Sequence, residues 1–381
     1  MLEKALVGER KYWAWIGVLL TVMGIGFLFY IKQFTYGLGV TGLSRDVTWG
    51  LYIAQFTFMV GVAASGVMVV LPYYLHDYKA FGKMAILGEL LAIASICMCG
   101  AFILADMGVP FRVTNMFIHP SPRSPMFWDA VSLSGYLILN VVAVTVTLGS
   151  VRKGAPPPKW IKPVIYLSIP WAISIHTVTA FLYSGLVARP FWMTAIMAPR
   201  FLATAFSSGP ALLILLAFVL RQVANYDVGK KAIGKLSEIV AYAMCVNVFF
   251  LLVELFTALY SNIPEHTKHF ELMFVGLEGN MRLVPWMWTA MSLSIVALLL
   301  LLNPGTRKNE STLTLACIAI FAAIWIEKGM GMVVTGFNPS PLGKVVDYWP
   351  TLTESMISVA IWAMGIFMVT IFYKVAVAIR K

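Results

Sequence analysis

Charge is scarce in this chain. Only 12% of its 381 residues are Asp, Glu, Lys or Arg, and 60% are hydrophobic. Soluble domains carry about 25% charged residues, so this composition excludes an ordinary soluble enzyme and belongs to a polytopic membrane protein. Cysteine is also scarce. Cys97, Cys99, Cys245 and Cys317 all fall inside apolar runs and none in a loop. An iron–sulfur or zinc site is therefore not expected, and small polarizable packing residues are the simpler reading. Of five histidines (His76, His119, His176, His266 and His269) only His176 lies within an apolar run. A haem held between two histidines inside a bilayer cannot be built from one. There is no Walker loop, dinucleotide fingerprint or CxxC pair, so the chain offers no obvious electron-carrying cofactor of its own. The N-terminus, MLEKALVGERKYW, lacks the short apolar core and small-residue cleavage site of a secretory signal, so the first apolar run is expected to be a helix of the protein.

What is abundant is long apolar runs. Ten stretches are long enough to span a bilayer, at 13–31, 50–74, 84–105, 128–150, 163–186, 198–220, 237–260, 283–303, 312–336 and 352–376, since about 20 apolar residues cross the hydrocarbon core. The expected fold is an all-α integral membrane protein with ten transmembrane helices. The net charge of +11 then reads as loop lysines and arginines rather than a nucleic-acid surface. Eighteen of them fall on the side of the termini and nine on the other, with Lys328 alone inside a helix. That bias places both termini in the cytoplasm and the protein in the cytoplasmic membrane as a multi-pass chain. The inner loops are plain and basic. The outer ones, such as DMGVPFRVTNMFIHPSPRSPMFW and SNIPEHTKHFELMFVGLEGNMRLVPW, mix aromatic, Pro, Gly, His and charged residues, as loops in contact with a partner do.

An internal echo suggests duplication. PMFWDAVSLS (125–134) and PWMWTAMSLS (285–294) share six of ten residues and open the fourth and eighth runs from the same side. His176 and Glu327 each precede a proline, Pro190 and Pro341, by fourteen residues. The expected organisation is two four-helix bundles, helices 2–5 and 6–9, with helices 1 and 10 flanking. In chain terms these are 1–48 for the first helix and its outer loop, 49–192 and 193–342 for the bundles, and 343–381 for the last helix.

A charge near the bilayer centre costs about 2.5–3.5 kcal/mol on insertion scales, so each such residue needs a reason. Glu89 and Asp106 belong to the third helix, His176 to the fifth, Glu254 to the seventh, Glu327 and Lys328 to the ninth and Glu354 to the start of the tenth. Polar partners on neighbouring helices are the structural explanation for most of them. A quinone is the chemical one. Its head group needs hydrogen-bonding partners at two oxygens, and its two-electron, two-proton chemistry needs a titrating group beside it. His176, Asp106 and Arg189 are expected near one another on adjacent outer helix ends, with Arg45 orienting these groups. Trp128 and Tyr136 are candidates to flank the ring, Trp128 equally as an interfacial anchor. Glu89, Glu254, Glu327 and Lys328 are candidates for a proton route toward the cytoplasm. A secondary transporter, which also uses repeats, interrupted helices and buried carboxylates, is the competing class.

Four stretches carry a family resemblance: GLSRDVTWGLYIA (42–54), HPSPRSPMFWD (119–129), the run P-x5-H-x12-R-P-x-W over 170–192, and APRFLATAFSSGPALL (198–213). Along essentially its whole length the chain resembles the NrfD-type polysulfide reductase family of quinone-interacting membrane subunits. That resemblance implies two four-helix bundles, no haem or iron–sulfur cluster in this chain, and a menaquinone site in the first bundle near the outer face. It also implies an extracytoplasmic ferredoxin-like iron–sulfur subunit docked on the rich outer loops. A multihaem cytochrome c and further membrane and cytoplasmic redox subunits would complete the assembly, linked to sulfite or sulfur-compound reduction.

Overall fold

A computed structural model describes residues 2–380. Among them are ten helices long and apolar enough to cross a membrane. In chain order they are α1 (Arg10–Val40), α2 (Leu51–Leu75), α3 (Lys79–Asp106), α4 (Pro125–Arg152), α5 (Ile161–Ser184), α6 (Met197–Ala224), α7 (Lys230–Ser261), α8 (Val284–Leu302), α9 (Glu310–Phe337) and α10 (Leu352–Arg380). The described residues contain no β-strand, only an isolated bridge between Leu277 and Asn280. A bilayer requires this, because only helices and closed barrels satisfy every backbone group in lipid.

Packing follows burial. In α2, 94% of the apolar window is enclosed, against 17% in α1. Accordingly α2 touches α3, α5, α6, α9 and α10, while α1 lies along α10. Helices α2, α3, α4 and α5 pack in sequence, with α5 returning to the second half of α2. Helices α6, α7, α8 and α9 do the same, with α9 returning to α6. Because lipid tails are as apolar as leucine, close van der Waals contact holds such helices together. The α2/α6 seam shows how: a Cβ on Gly209 would stand 3.0 Å from the Ser65 amide nitrogen and 3.2 Å from the Gly61 carbonyl. Neither backbone leaves room for a side chain there.

The two echoed segments do equivalent work. Pro125 and Pro285 both sit in the first turn of their helices. Trp128 donates its indole N–H to the Pro122 carbonyl at 2.7 Å, and Trp288 donates to the Phe274 carbonyl at 3.0 Å. Both rings remain about half exposed, as interfacial anchors do.

On the face opposite the termini, two polar latches tie the loops down. Glu354, enclosed in the first turn of α10, accepts from the Gly42 and Thr351 amides at 2.7 and 2.9 Å and from the Tyr348 hydroxyl at 2.7 Å. Tyr348 in turn accepts from the Leu51 amide at 2.7 Å, so one carboxylate joins the starts of α2 and α10. Burial and the Glu354 charge push the Tyr348 phenol up, which keeps it a donor.

The second latch is His269, on the short helix Pro264–Phe274. Its Nδ1–H is shared between the carbonyls of Thr335 (2.9 Å) and Asn338 (2.7 Å) at the end of α9, and the ring packs against Phe191. Burial holds the imidazole down at about 4, against its two hydrogen bonds. The unfolded ring, near 6.5, binds its proton first. The contribution is therefore complete above about pH 6.5 and lost as pH falls toward 4, amounting to about 3 kcal/mol at most. Amide exchange in residues 264–274 is expected to rise between pH 7 and pH 5. The His269→Gln variant should show flat exchange over that range once corrected for intrinsic pH effects.

Candidate functional site

His176 lies on α5, fully enclosed, with neither ring nitrogen hydrogen-bonded to protein. Buried polar atoms almost always have partners, so two orphaned nitrogens on one imidazole call for an explanation. One turn further along the same face, Thr179 donates its hydroxyl to Asp129 Oδ1 at 2.6 Å. Asp129 belongs to α4 and is itself buried. One turn beyond, the Tyr183 hydroxyl bonds to Thr57 of α2. His176, Thr179 and Tyr183 recur at i, i+3 and i+7, the spacing of one helix face. The fold thus assembles His176, Thr179, Asp129, Tyr183 and Thr57 where α2, α4 and α5 meet.

Lys328 approaches this group from the other quartet. Residues 325–331 of α9 wind as a π-helix, a local widening that often occurs at functional positions. Lys328 Nζ is buried, has no hydrogen-bond partner, and sits 4.2 Å from the Phe201 ring centroid. A Cβ on Gly61 of α2 would lie 3.3 Å from it. The ammonium therefore rests on the α2 backbone at a residue without a side chain, and it is the charged neighbour felt by His176. A cavity of about 10 Å³, on the order of one water, is lined by Arg200, Phe201, Thr204, Lys328 and Met332.

Arg200 is the hub of a separate cluster. Its Nη1 pairs with Glu254 of α7 and its Nη2 with Glu327 of α9, the latter at 2.5 Å, with all three side chains buried or nearly so. One guanidinium thus ties α6, α7 and α9 together in a dehydrated setting.

The remaining candidates lie elsewhere. Asp106 ends α3 with Oδ1 buried and unpartnered, within electrostatic reach of Glu354 and Tyr52. The Tyr52 hydroxyl donates to Gln33 at 2.6 Å, so Asp106 belongs to a cluster with α1, α2 and α10. Arg45 is exposed in the loop before α2. Arg189 caps the Phe337 ring at 4.3 Å and donates to the Phe337 carbonyl at 3.3 Å. Trp128 is half exposed, whereas Tyr136 and Glu89 are buried in the first quartet. The structure therefore brings Lys328 toward His176 and joins Glu254 to Glu327, but it forms no hydrogen bond or ion pair between His176 and Asp106, Arg45 or Arg189.

Sequence reasoning passes over Asp129, Thr179 and Arg200. Asp129 lies inside the fourth apolar run, and the spacing 129, 132, 136 is a usable signal. Arg200 reads as a loop charge because it stands at the head of its run. Among the described residues no cluster of three His, Cys, Asp or Glu side chains has metal-ligand geometry.

Comparison with known proteins bears on this arrangement. The pattern of the family described as "Polysulphide reductase, NrfD" matches residues 39–337, more than half of the chain. The chain belongs to the NrfD family. The match covers α2 to α9 and leaves α1 and α10 mostly outside it. Similar proteins include the membrane subunit of a putative dimethyl sulfoxide reductase from Halobacterium salinarum, 26% identical over 92% of this chain and 88% of the relative. The Hdr-like menaquinol oxidoreductase integral membrane subunit of Archaeoglobus fulgidus is 23% identical over 95% and 92%. A subunit of the selenate reductase of Mesobacillus selenatarsenatis is 21% identical over 96% and 94%. As an NrfD-family chain with ten apolar helices, this is a multi-pass membrane subunit of the kind found in reductase and quinone oxidoreductase complexes.

Proposed function

We propose that this NrfD-family subunit binds menaquinone or menaquinol in its first helix quartet and exchanges electrons with an extracytoplasmic iron–sulfur subunit. The observation that carries this reading is the enclosed imidazole of His176, both of whose nitrogens lack a protein partner. A quinone head group would supply that partner, and when bound it supplies two-electron, two-proton redox chemistry. His176 holds or releases a proton at a ring nitrogen. Thr179 keeps Asp129 oriented as the next acceptor. Arg45 and Arg189 supply positive charge nearer the loop-rich face, and Asp106 supplies a second carboxylate there. Tyr136 and Trp128 would border the site. The menaquinol activity named for the Archaeoglobus relative supports the choice of quinone.

In this reading helices α2–α5 and α6–α9 are duplicated bundles, both termini are cytoplasmic, and the membrane is the cytoplasmic one. Within the family the chain's motifs resemble those of DsrP, the membrane subunit of the Dsr complex. Its neighbours would then be a ferredoxin-like iron–sulfur protein and a multihaem cytochrome c in sulfite-linked respiration, with charge separation by way of Glu89. Purification of the tagged chain from native membranes tests the reading. Extractable menaquinone in stoichiometric amount, together with iron–sulfur and c-haem subunits, is expected. A quinone-free protein that purifies alone and catalyses substrate-dependent flux in liposomes would establish the transporter class instead.

A further inference from the structure

We propose that the buried polar face of α4 is the proton route between the solvent at the termini-bearing face and the His176 site. This rests on the quinone reading for its purpose, though not for its geometry.

Asp129, Ser132, Tyr136, Asn140 and Thr147 are all buried, and they recur at i, i+3, i+7, i+11 and i+18. That spacing keeps them on one side of a helix. The opposite side is lipid-facing, with Met126, Ile138, Val141 and Val151 exposed. From Asp129 to Thr147 the helix rises about 27 Å, most of a roughly 30 Å hydrocarbon core. Five polar side chains on the enclosed face of one membrane helix are costly to bury and call for a reason beyond filling space.

Neighbouring helices fill the longer gaps. Thr179 of α5 joins Asp129 at the head of the file. The Asn140 side-chain amide donates to the Tyr136 carbonyl at 2.7 Å, one turn back along the same face. Glu89 of α3 lies within electrostatic reach of both Tyr136 and Tyr74, and Tyr74 stands beside Thr147. Arg380 at the end of α10, donating to the Gly82 carbonyl at 2.9 Å, is the positive charge facing Glu89. The file thus runs Thr147 and Tyr74, Glu89, Asn140 and Tyr136, Asp129 and Thr179, then His176. Each hydroxyl accepts one proton at its oxygen as it gives up its own, Glu89 and Asp129 take up and release one at a carboxyl oxygen, and Asn140 carries none but orients its neighbours; two protons move along the file for each two electrons passed to one-electron iron–sulfur carriers. Glu254 and Glu327 stand outside it, in the other quartet and held by Arg200.

Infrared difference spectroscopy on the full chain, oriented in proteoliposomes without quinone, tests the route. After a switch to D2O on the termini-bearing side, the carboxyl bands of Glu89 and Asp129, assigned with Glu89→Gln and Asp129→Asn, should exchange in that order. In Asn140→Leu the Asp129 band should slow by about tenfold, the rate equivalent of one lost hydrogen bond, while Glu89 keeps its rate. Exchange of Asp129 from the loop-rich side, or at an unchanged rate in both Asn140→Leu and Glu89→Gln, would overturn the proposal. Because no quinone is present, an error in the quinone reading would leave this result unaltered.

Discussion

Replacing His176 with alanine is expected to abolish quinone-linked electron transfer in a complex that still assembles. The ring is enclosed and makes no hydrogen bond to protein, so its removal breaks no polar network and leaves a modest cavity in a quartet that many other contacts hold. Turnover instead loses the group that exchanges a proton with the head group, a loss of about 10²–10⁴-fold for general acid–base catalysis. His176→Gln, which keeps a hydrogen-bonding group without an exchangeable ring proton, should retain quinone binding and lose rate. Steady-state quinol oxidation or quinone reduction, measured beside subunit stoichiometry, separates the two effects. Wild-type rates in both variants would remove His176 from the chemistry.

Arg200→Ala should have the opposite signature, failing in assembly before it fails in chemistry. Arg200 is the sole cation paired with Glu254 and Glu327 among the described ion pairs. Removing one partner of a buried bridge costs about 3–5 kcal/mol, because the remaining charge stays dehydrated. Here two carboxylates would be stranded. Arg200→Lys should also fail, since a single ammonium cannot present two parallel donors to two acids on different helices. The triple variant Arg200→Met, Glu254→Gln, Glu327→Gln is expected to recover most of the folded yield, because it removes the charges together. Detergent-solubilised yield and thermal midpoint check the series. A single alanine variant as stable as the wild type would show that the bridge is not structural.

The ten spans are legible in the sequence because hydropathy measures the main demand that lipid makes on a helix, and their bounds shift in the structure mostly by a few residues. The seventh starts earlier, at Lys230, because its first two turns are polar and amphipathic rather than apolar. The buried ionisable residues are legible for the same reason. Their partners are not. Glu327 and Lys328 adjoin in sequence, yet the π-helical turn sends Glu327 to Arg200 and Lys328 to Gly61 and Phe201. Asp106 and His176 look like neighbours by depth alone, yet they occupy different helix seams.

Composition and periodicity thus determined by themselves that this is a helical membrane protein, where its helices lie and which residues must justify their burial. Each of those depends on local transfer energies along one chain segment. Tertiary structure decided which side chains meet: the two carboxylates on Arg200, the hydroxyl of Thr179 on Asp129, and the lone imidazole left without a partner. Those meetings depend on how helices rotate and approach at small residues such as Gly61 and Gly209, and no run of residues on a single helix records the face its neighbours present.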